Sequence, residues 1–259
     1  MTGLLRQIGE QQLVGFILVL ARVSPLFVLA PVLSSRFIPP RAKGIAAVGI
    51  AFGMAPLISR GADVPLEVLP LGELILKEVL VGTAFAFAIA AIFAAVSVAG
   101  SFVDLMMGFA FGSLVDPITG VQSTVLQQIY ALVGIMIFVA IGGDGWAIQG
   151  LARSYEAVPI DAMPSIPALV GGANSAFVQI FRSALELAAP VILALVITDA
   201  AMGLVSRVVP QMNVFAVGFS VKIAVGILVA AATLPFAGGW IADELQTSVE
   251  VALRTLKVA

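Results

Sequence analysis

The chain has no cysteine and no histidine among its 259 residues. Disulfides, thiol nucleophiles, Cys/His zinc sites and the usual neutral-pH proton carrier are thereby excluded. A Ser-His-Asp triad is equally out of reach. Charge is scarce too. Only 11% of residues are Asp, Glu, Lys or Arg, against about 25% in an average soluble domain. A net charge of −2 offers no basic surface to nucleic acid. No Walker A loop, G-x-S-x-G elbow or zincin helix occurs, and no residue pattern calls for a cofactor or a metal. A two-aspartate membrane protease would have to rest on Asp104 and Asp116, whose neighbours form no recognisable catalytic frame.

What the chain has is apolar sequence: 61% hydrophobic residues and a mean hydropathy of +1.13. These values predict a multi-span, all-α membrane protein. The run over residues 13–33 is longer than a signal-peptide core and contains Arg22, so it reads as a retained span. It is kinked at Pro25 and Pro31. No polar linker divides the chain, and a single membrane domain over residues 1–259 is expected.

Along the chain, residues 34–43 (SSRFIPPRAK) read as a basic loop that Pro39-Pro40 keeps from being helical. Its positive charges favour the cytoplasmic side. Residues 44–58 are apolar but short of the ~20 needed for a crossing. Glu73 and Lys77 stand four apart, as a helical ion pair would, ahead of the long uncharged run 79–103. Residues 104–124 (DLMMGFAFGSLVDPITGVQST) are too broken for a spanning helix and too apolar for a solvated loop. Irregular backbone at membrane depth is tolerated inside protein or beside a cavity, which suggests a re-entrant or constriction loop. A helix over 125–141 ends at Gly142-Gly143-Asp144-Gly145. Residues 146–167 read as interfacial, with Trp146 and Tyr155 at headgroup level. Two shorter apolar segments follow, 169–181 and 187–198, with Arg182 and Glu186 four apart between them. A last run over 223–242 leads to an amphipathic tail, 243–259, expected outside the core.

The stretch around which the rest is organised is 207–226 (RVVPQMNVFAVGFSVKIAVG). It is apolar, yet it carries Arg207, Gln211, Asn213 and Lys222, and Pro210 interrupts it. A charge at bilayer depth costs roughly 2.5–3.5 kcal/mol on insertion scales unless paired or hydrated. This stretch therefore faces protein or a water-filled path rather than lipid. Arg22, Glu78, Asp104, Asp116, Asp199, Arg207 and Lys222 all lie in or beside apolar runs. They can form an ion path, or pair with one another and with partner subunits. Their balanced signs and their places near segment ends favour pairing. Met106, Met107, Phe109 and Phe111 suit either ordinary core packing or an adaptable seal over a pore. A secondary transporter or small ion channel with a midplane charged site is the competing class, and it should carry an internal repeat. None is evident in the residues.

The chain resembles the FliR family of the type III export gate and its counterparts in virulence secretion. RVVPQMNVFAVGFSVK (207–222) looks like the family signature R-x-x-P-Q-x-N-x-F-x-x-G, and GFAFGSLVDPITG (108–120) resembles its segment ending in D-P-x-x-G. Arg22, Pro25, Pro31, Pro39-Pro40 and Lys43 match a similar kinked span and short loop. The resemblance covers essentially the whole chain. It implies an integral membrane subunit of kinked, broken helices and no enzymatic activity. It implies assembly with FliP and FliQ homologues and other export-apparatus components into a hetero-oligomeric gate in the cell inner membrane, at the flagellar basal body. Unfolded flagellar subunits pass through that gate. By the same resemblance the segment matching 104–120 plugs the pore, which gives that role to Met106, Met107, Phe109 and Phe111. Arg207, Gln211, Asn213 and Lys222 become subunit-interface or buried-charge residues, with Lys222 neutralised by a carboxylate of this chain or of a partner. Two departures stand out. Gly142-Gly143-Asp144-Gly145 replaces the family's Gly-Gly-His-His, so no histidine-based proton role carries over. Val217-Gly218-Phe219-Ser220 stands where the signature runs on toward proline, which implies a less kinked segment.

Overall fold

In a bilayer the helix is the one open-ended structure that satisfies its own backbone polar groups, and the chain adopts it wherever it is described. The computed structural model describes residues 2–35, 38–59, 65, 67–109, 125–211 and 213–257. Among them lie seven helices: α1 (Thr2–Leu29), α2 (Pro40–Ile58), α3 (Val68–Met107), α4 (Val125–Ala140), α5 (Gly143–Ala157), α6 (Ile166–Val208) and α7 (Val214–Lys257). No strand occurs among the described residues. Five segments are long and apolar enough to cross a membrane, or six if α4 and α5 together make one. The helices α3, α6 and α7 hold 40, 43 and 44 residues. At 1.5 Å per residue such helices are about 60 Å or more long, twice the ~30 Å hydrocarbon core. They must tilt steeply or project beyond it.

Several boundaries differ from expectation. Pro39-Pro40 does not hold the chain out of a helix. Pro40 opens α2, because the first helical position needs no N–H donor and favours proline's fixed φ. The apolar segment over 44–58 is therefore part of a 19-residue helix. Residues 146–157, read as interfacial, form most of α5, and Tyr155 is buried. The two segments either side of Arg182 are one helix, which passes through Pro190 unbroken. The tail from 243 onward continues α7, with Leu245 and Val249 buried. As the departure near Phe219 implied, residues 217–220 lie within uninterrupted helix.

The chain divides into two compact units. The first comprises Met1–Ala91, Gly142–Phe177 and Leu245–Ala259. In it, α2 buries only Ala47, Ala51 and Ala55, one small residue per turn, and it packs on α1. Gly15 lets the C-terminal end of α2 come close, since a Cβ there would lie 2.8 Å from the Ser59 Cβ. Gly82 of α3 meets α1 more tightly still. A Cβ there would lie 2.2 Å from the Arg22 carbonyl oxygen.

The second unit comprises Ile92–Ile141 and Val178–Glu244. Its core is a helical stripe of α3 (Val96, Ala99, Val103, Met107) against Leu126 and Tyr130 of α4, Ala184, Ala188, Val191 and Leu195 of α6, and Ala230 and Ile241 of α7. Phe93 and Phe138 meet edge to face with centroids 5.1 Å apart. Gly100 brings α3 onto the first turn of α4, where a Cβ would lie 2.7 Å from the Gln127 Cα.

Candidate functional site

The segment read as a re-entrant loop starts as helix: Asp104 to Met107 complete α3. Gly108 stops it, with φ +91. The Gly108 N–H donates to Leu105 O at 3.2 Å and the Phe109 N–H to Asp104 O at 3.1 Å. This 5→2 and 6→1 pair is a Schellman motif, which satisfies carbonyls at the helix end. Residues 110–124, and with them Phe111 and Asp116, lie outside the described residues. The Asp104 side chain is fully buried. Its carboxylate accepts the Leu126 N–H at 3.2 Å and the Gln127 N–H at 2.9 Å, at the start of α4. Those are donors that no helical carbonyl can serve, and the positive end of the helix macrodipole favours a carboxylate there.

Of the four apolar residues singled out in the sequence, Met106 is part exposed and Met107 is fully buried. Met107 lies against Gly226 of α7, where a Cβ would be 2.7 Å from its Sδ. Phe109 meets the Phe219 ring nearly perpendicularly, with centroids 6.3 Å apart. The structure thus brings the methionine-rich end of α3 onto the 207–226 stretch, through Gly226 and Phe219. Sequence reasoning gave neither of these two residues a place in the site.

The polar residues of that stretch do not gather. α6 ends at Val208, Pro210 and Gln211 turn, and α7 begins at Val214. Arg207, Gln211 and Asn213 are exposed at this tip. Arg207 occupies the last turn of α6, where a cation suits the dipole. Asn213 caps α7, its Oδ1 accepting the Ala216 N–H at 3.2 Å. Lys222 stands apart and pairs with Asp199 of α6 at 2.9 Å. Farther along the same two helices, Glu244 Oε1 accepts from Gln179 Nε2 and Ser183 Oγ, each at 2.8 Å.

A separate charge cluster lies in the first unit. The Arg22 guanidinium donates to both Glu78 oxygens, to Ser154 Oγ at 3.2 Å and to the Val158 carbonyl at 2.9 Å. The Tyr155 ring covers it, 3.8 Å from Cζ to centroid. Lys77 was expected to pair with Glu73. It bonds instead to Glu78 Oε1 at 2.7 Å and to the carbonyls of Pro159 and Ile160 at 3.0 and 2.6 Å. The turn after α5 supplies three carbonyls that no helix uses, and they outcompete an exposed carboxylate. Two cations face one carboxylate, but they sit at the C-terminal end of α5, whose dipole offsets part of the surplus. The sequence marked Arg22 and Glu78 as charges in apolar runs. The partners of Arg22 lie 56 to 136 residues away, and no local pattern announces them.

Among the described residues no group of three acidic side chains could hold a metal ion. The buried charges serve one another and helix ends.

The sequence profile described as "Bacterial export proteins, family 1" matches residues 13–248. The chain is 34% identical to the flagellar biosynthetic protein FliR of Escherichia coli over 216 residues, covering 83% of this chain and 82% of that one. It is 32% identical to FliR of Bacillus subtilis over 221 residues, 83% of each. Against the surface presentation of antigens protein SpaR of Salmonella typhimurium it is 28% identical over 211 residues, 81% of this chain and 78% of the other. With the profile spanning nearly the whole of an all-α, membrane-type fold, the chain belongs to family 1 of the bacterial export proteins, the family of FliR.

Proposed function

We propose that the chain is a non-enzymatic membrane subunit of the flagellar type III export gate. It forms with FliP and FliQ homologues the channel through which unfolded flagellar subunits leave the cytoplasm. Its place is the cell inner membrane, in the flagellar basal body among the other export-apparatus components. The observation that carries this reading is the family match over residues 13–248. The five apolar helices of crossing length support the membrane location. Met106, Met107, Phe109 and Phe111 act as the pore plug. In support, Met107 lies against Gly226 of α7 and the Phe109 ring meets Phe219, while Met106 is exposed beside them. Arg207, Gln211 and Asn213 bind neighbouring subunits. Their exposure at the α6–α7 tip leaves them open to a partner. Lys222 is partly buried, and Asp199 neutralises it within the chain.

Co-expression with the neighbouring genes, followed by native mass spectrometry of the detergent-solubilised complex, tests the reading. A defined assembly with several copies of two other small membrane proteins is expected. A monomer or homodimer that is stable without partners would overturn it.

A further inference from the structure

The Asp104 carboxylate joins two helix ends, Met107 and Val125, and its own bonds reach 22 and 23 residues along the chain. It lies in the last turns of α3, is fully buried, and accepts two N–H groups from the first turn of α4. Each end is also fixed by a second device. Gly108 closes α3 with the Schellman motif just beyond Asp104. Gly100, one turn earlier, admits the α4 backbone to contact distance. A carboxylate serving its own helix would cap that helix's N-terminus. This one stands near a C-terminus, where the local dipole disfavours it. It is held there by the start of another helix.

We propose that Asp104 is a positioning residue: it clasps the start of α4 to the end of α3, and so fixes where Met106, Met107 and Phe109 sit. Its consequence for function rests on the plug reading above; the clasp itself does not. The chemistry needs a side chain with two acceptor oxygens, one for each N–H. Asparagine retains one acceptor oxygen and loses the charge. Leucine retains the approximate volume and loses both.

The cysteine-free sequence allows a direct test. Leu105 and Val125, both exposed, flank the clasp. Cysteines at these two positions are spin-labelled in the co-expressed complex, and the label-to-label distance is measured by pulsed electron paramagnetic resonance. With Asp104 intact, one narrow peak is expected. Asp104→Leu should give a broad distribution at longer distance, and Asp104→Asn an intermediate one. An unchanged narrow peak in Asp104→Leu overturns the clasp. If that variant does not assemble, Asp104→Asn decides in the same way. Resting ion leak is then measured in cells carrying the same variants, beside a deletion of residues 107–111. Leak in the deletion and in Asp104→Leu supports the positioning role. Leak in the deletion alone, with the distances broadened, overturns it. A tight deletion strain refutes the plug reading and leaves the clasp to the distance measurement.

Discussion

Replacing Glu78 by glutamine should be among the most damaging single changes in the first unit, although it alters hardly any volume. Glu78 accepts from Arg22 Nε, Arg22 Nη2 and Lys77 Nζ, and neither it nor Arg22 is accessible to solvent. The glutamine side chain offers one acceptor oxygen in place of two and no charge. Beyond that one oxygen, Arg22 and Lys77 then keep the Ser154 hydroxyl, the Tyr155 ring and the carbonyls of Val158, Pro159 and Ile160. Two buried positive charges stand together without a counter-ion. Removing one partner of a buried pair costs about 3–5 kcal/mol, chiefly because the other charge is left uncompensated. At about 1.4 kcal/mol per decade that is roughly a hundredfold to several-thousandfold loss in the folded-to-unfolded ratio. The pair itself, by contrast, is worth little against apolar residues of similar size. Arg22→Met combined with Glu78→Leu should therefore recover more than half of the loss, with Lys77 still held by two carbonyls and the α5 dipole. Fluorescence-detected thermal unfolding of the purified complex, run as a double-mutant cycle, reads both effects. If the double variant is as unstable as the sum of the singles, the loss comes from shape and not from stranded charge. If Glu78→Gln is neutral, the charges are hydrated and the buried-cluster account fails.

Three further substitutions probe the same unit. Gly82→Ala should lower the yield of folded complex, because a Cβ 2.2 Å from a backbone oxygen cannot be relieved by a rotamer change; the roughly 1 kcal/mol that alanine gains over glycine in helix propensity is too small to offset it. Gly72→Ala on the same helix, where nothing lies within 4 Å, should be neutral or stabilising, and equal behaviour of the two in a solubilised-yield assay would refute the close approach of α1 and α3. The buried Tyr155 hydroxyl has no hydrogen-bond partner among the described residues, and such an orphan costs about 1–3 kcal/mol. Tyr155→Phe keeps the ring over Arg22 and should leave thermal stability unchanged or raised, whereas a fall would mean that the hydroxyl is satisfied in the assembled protein.

The parts of the fold legible in sequence were those set by neighbouring residues. Pro210 with Asn213 marks the break between α6 and α7, and Gly142, at φ +68, marks the end of α4. The exposed Arg182–Glu186 pair forms as its spacing suggests. What was not legible depended on partners far along the chain. Lys77 and Glu78 look like the polar head of a shorter helix until Arg22 and the turn after α5 are placed beside them. Asp243 and Glu244 look like the start of a solvated tail until Gln179 and Ser183 reach Glu244 from α6. All four residues lie inside helices of 40 residues or more.

The same distinction separates architecture from candidate function among the charges. Arg22, Lys77, Glu78 and Asp104 are the buried Arg, Lys, Asp and Glu residues among the described residues. Every one is engaged by another charge, by spare carbonyls after a helix, or by the open N–H groups that begin one. Such groups hold helices in register and leave nothing over for a transported ion, which weakens the channel reading that their presence in apolar sequence first invites. Polar groups with capacity to spare are present at the α6–α7 tip. Arg207 and Gln211 are exposed there, on a stretch whose proline break and Asn213 cap fix the turn that presents them. A protein working alone in lipid would gain nothing from an exposed polar tip between its two longest helices. A subunit that must dock against others would.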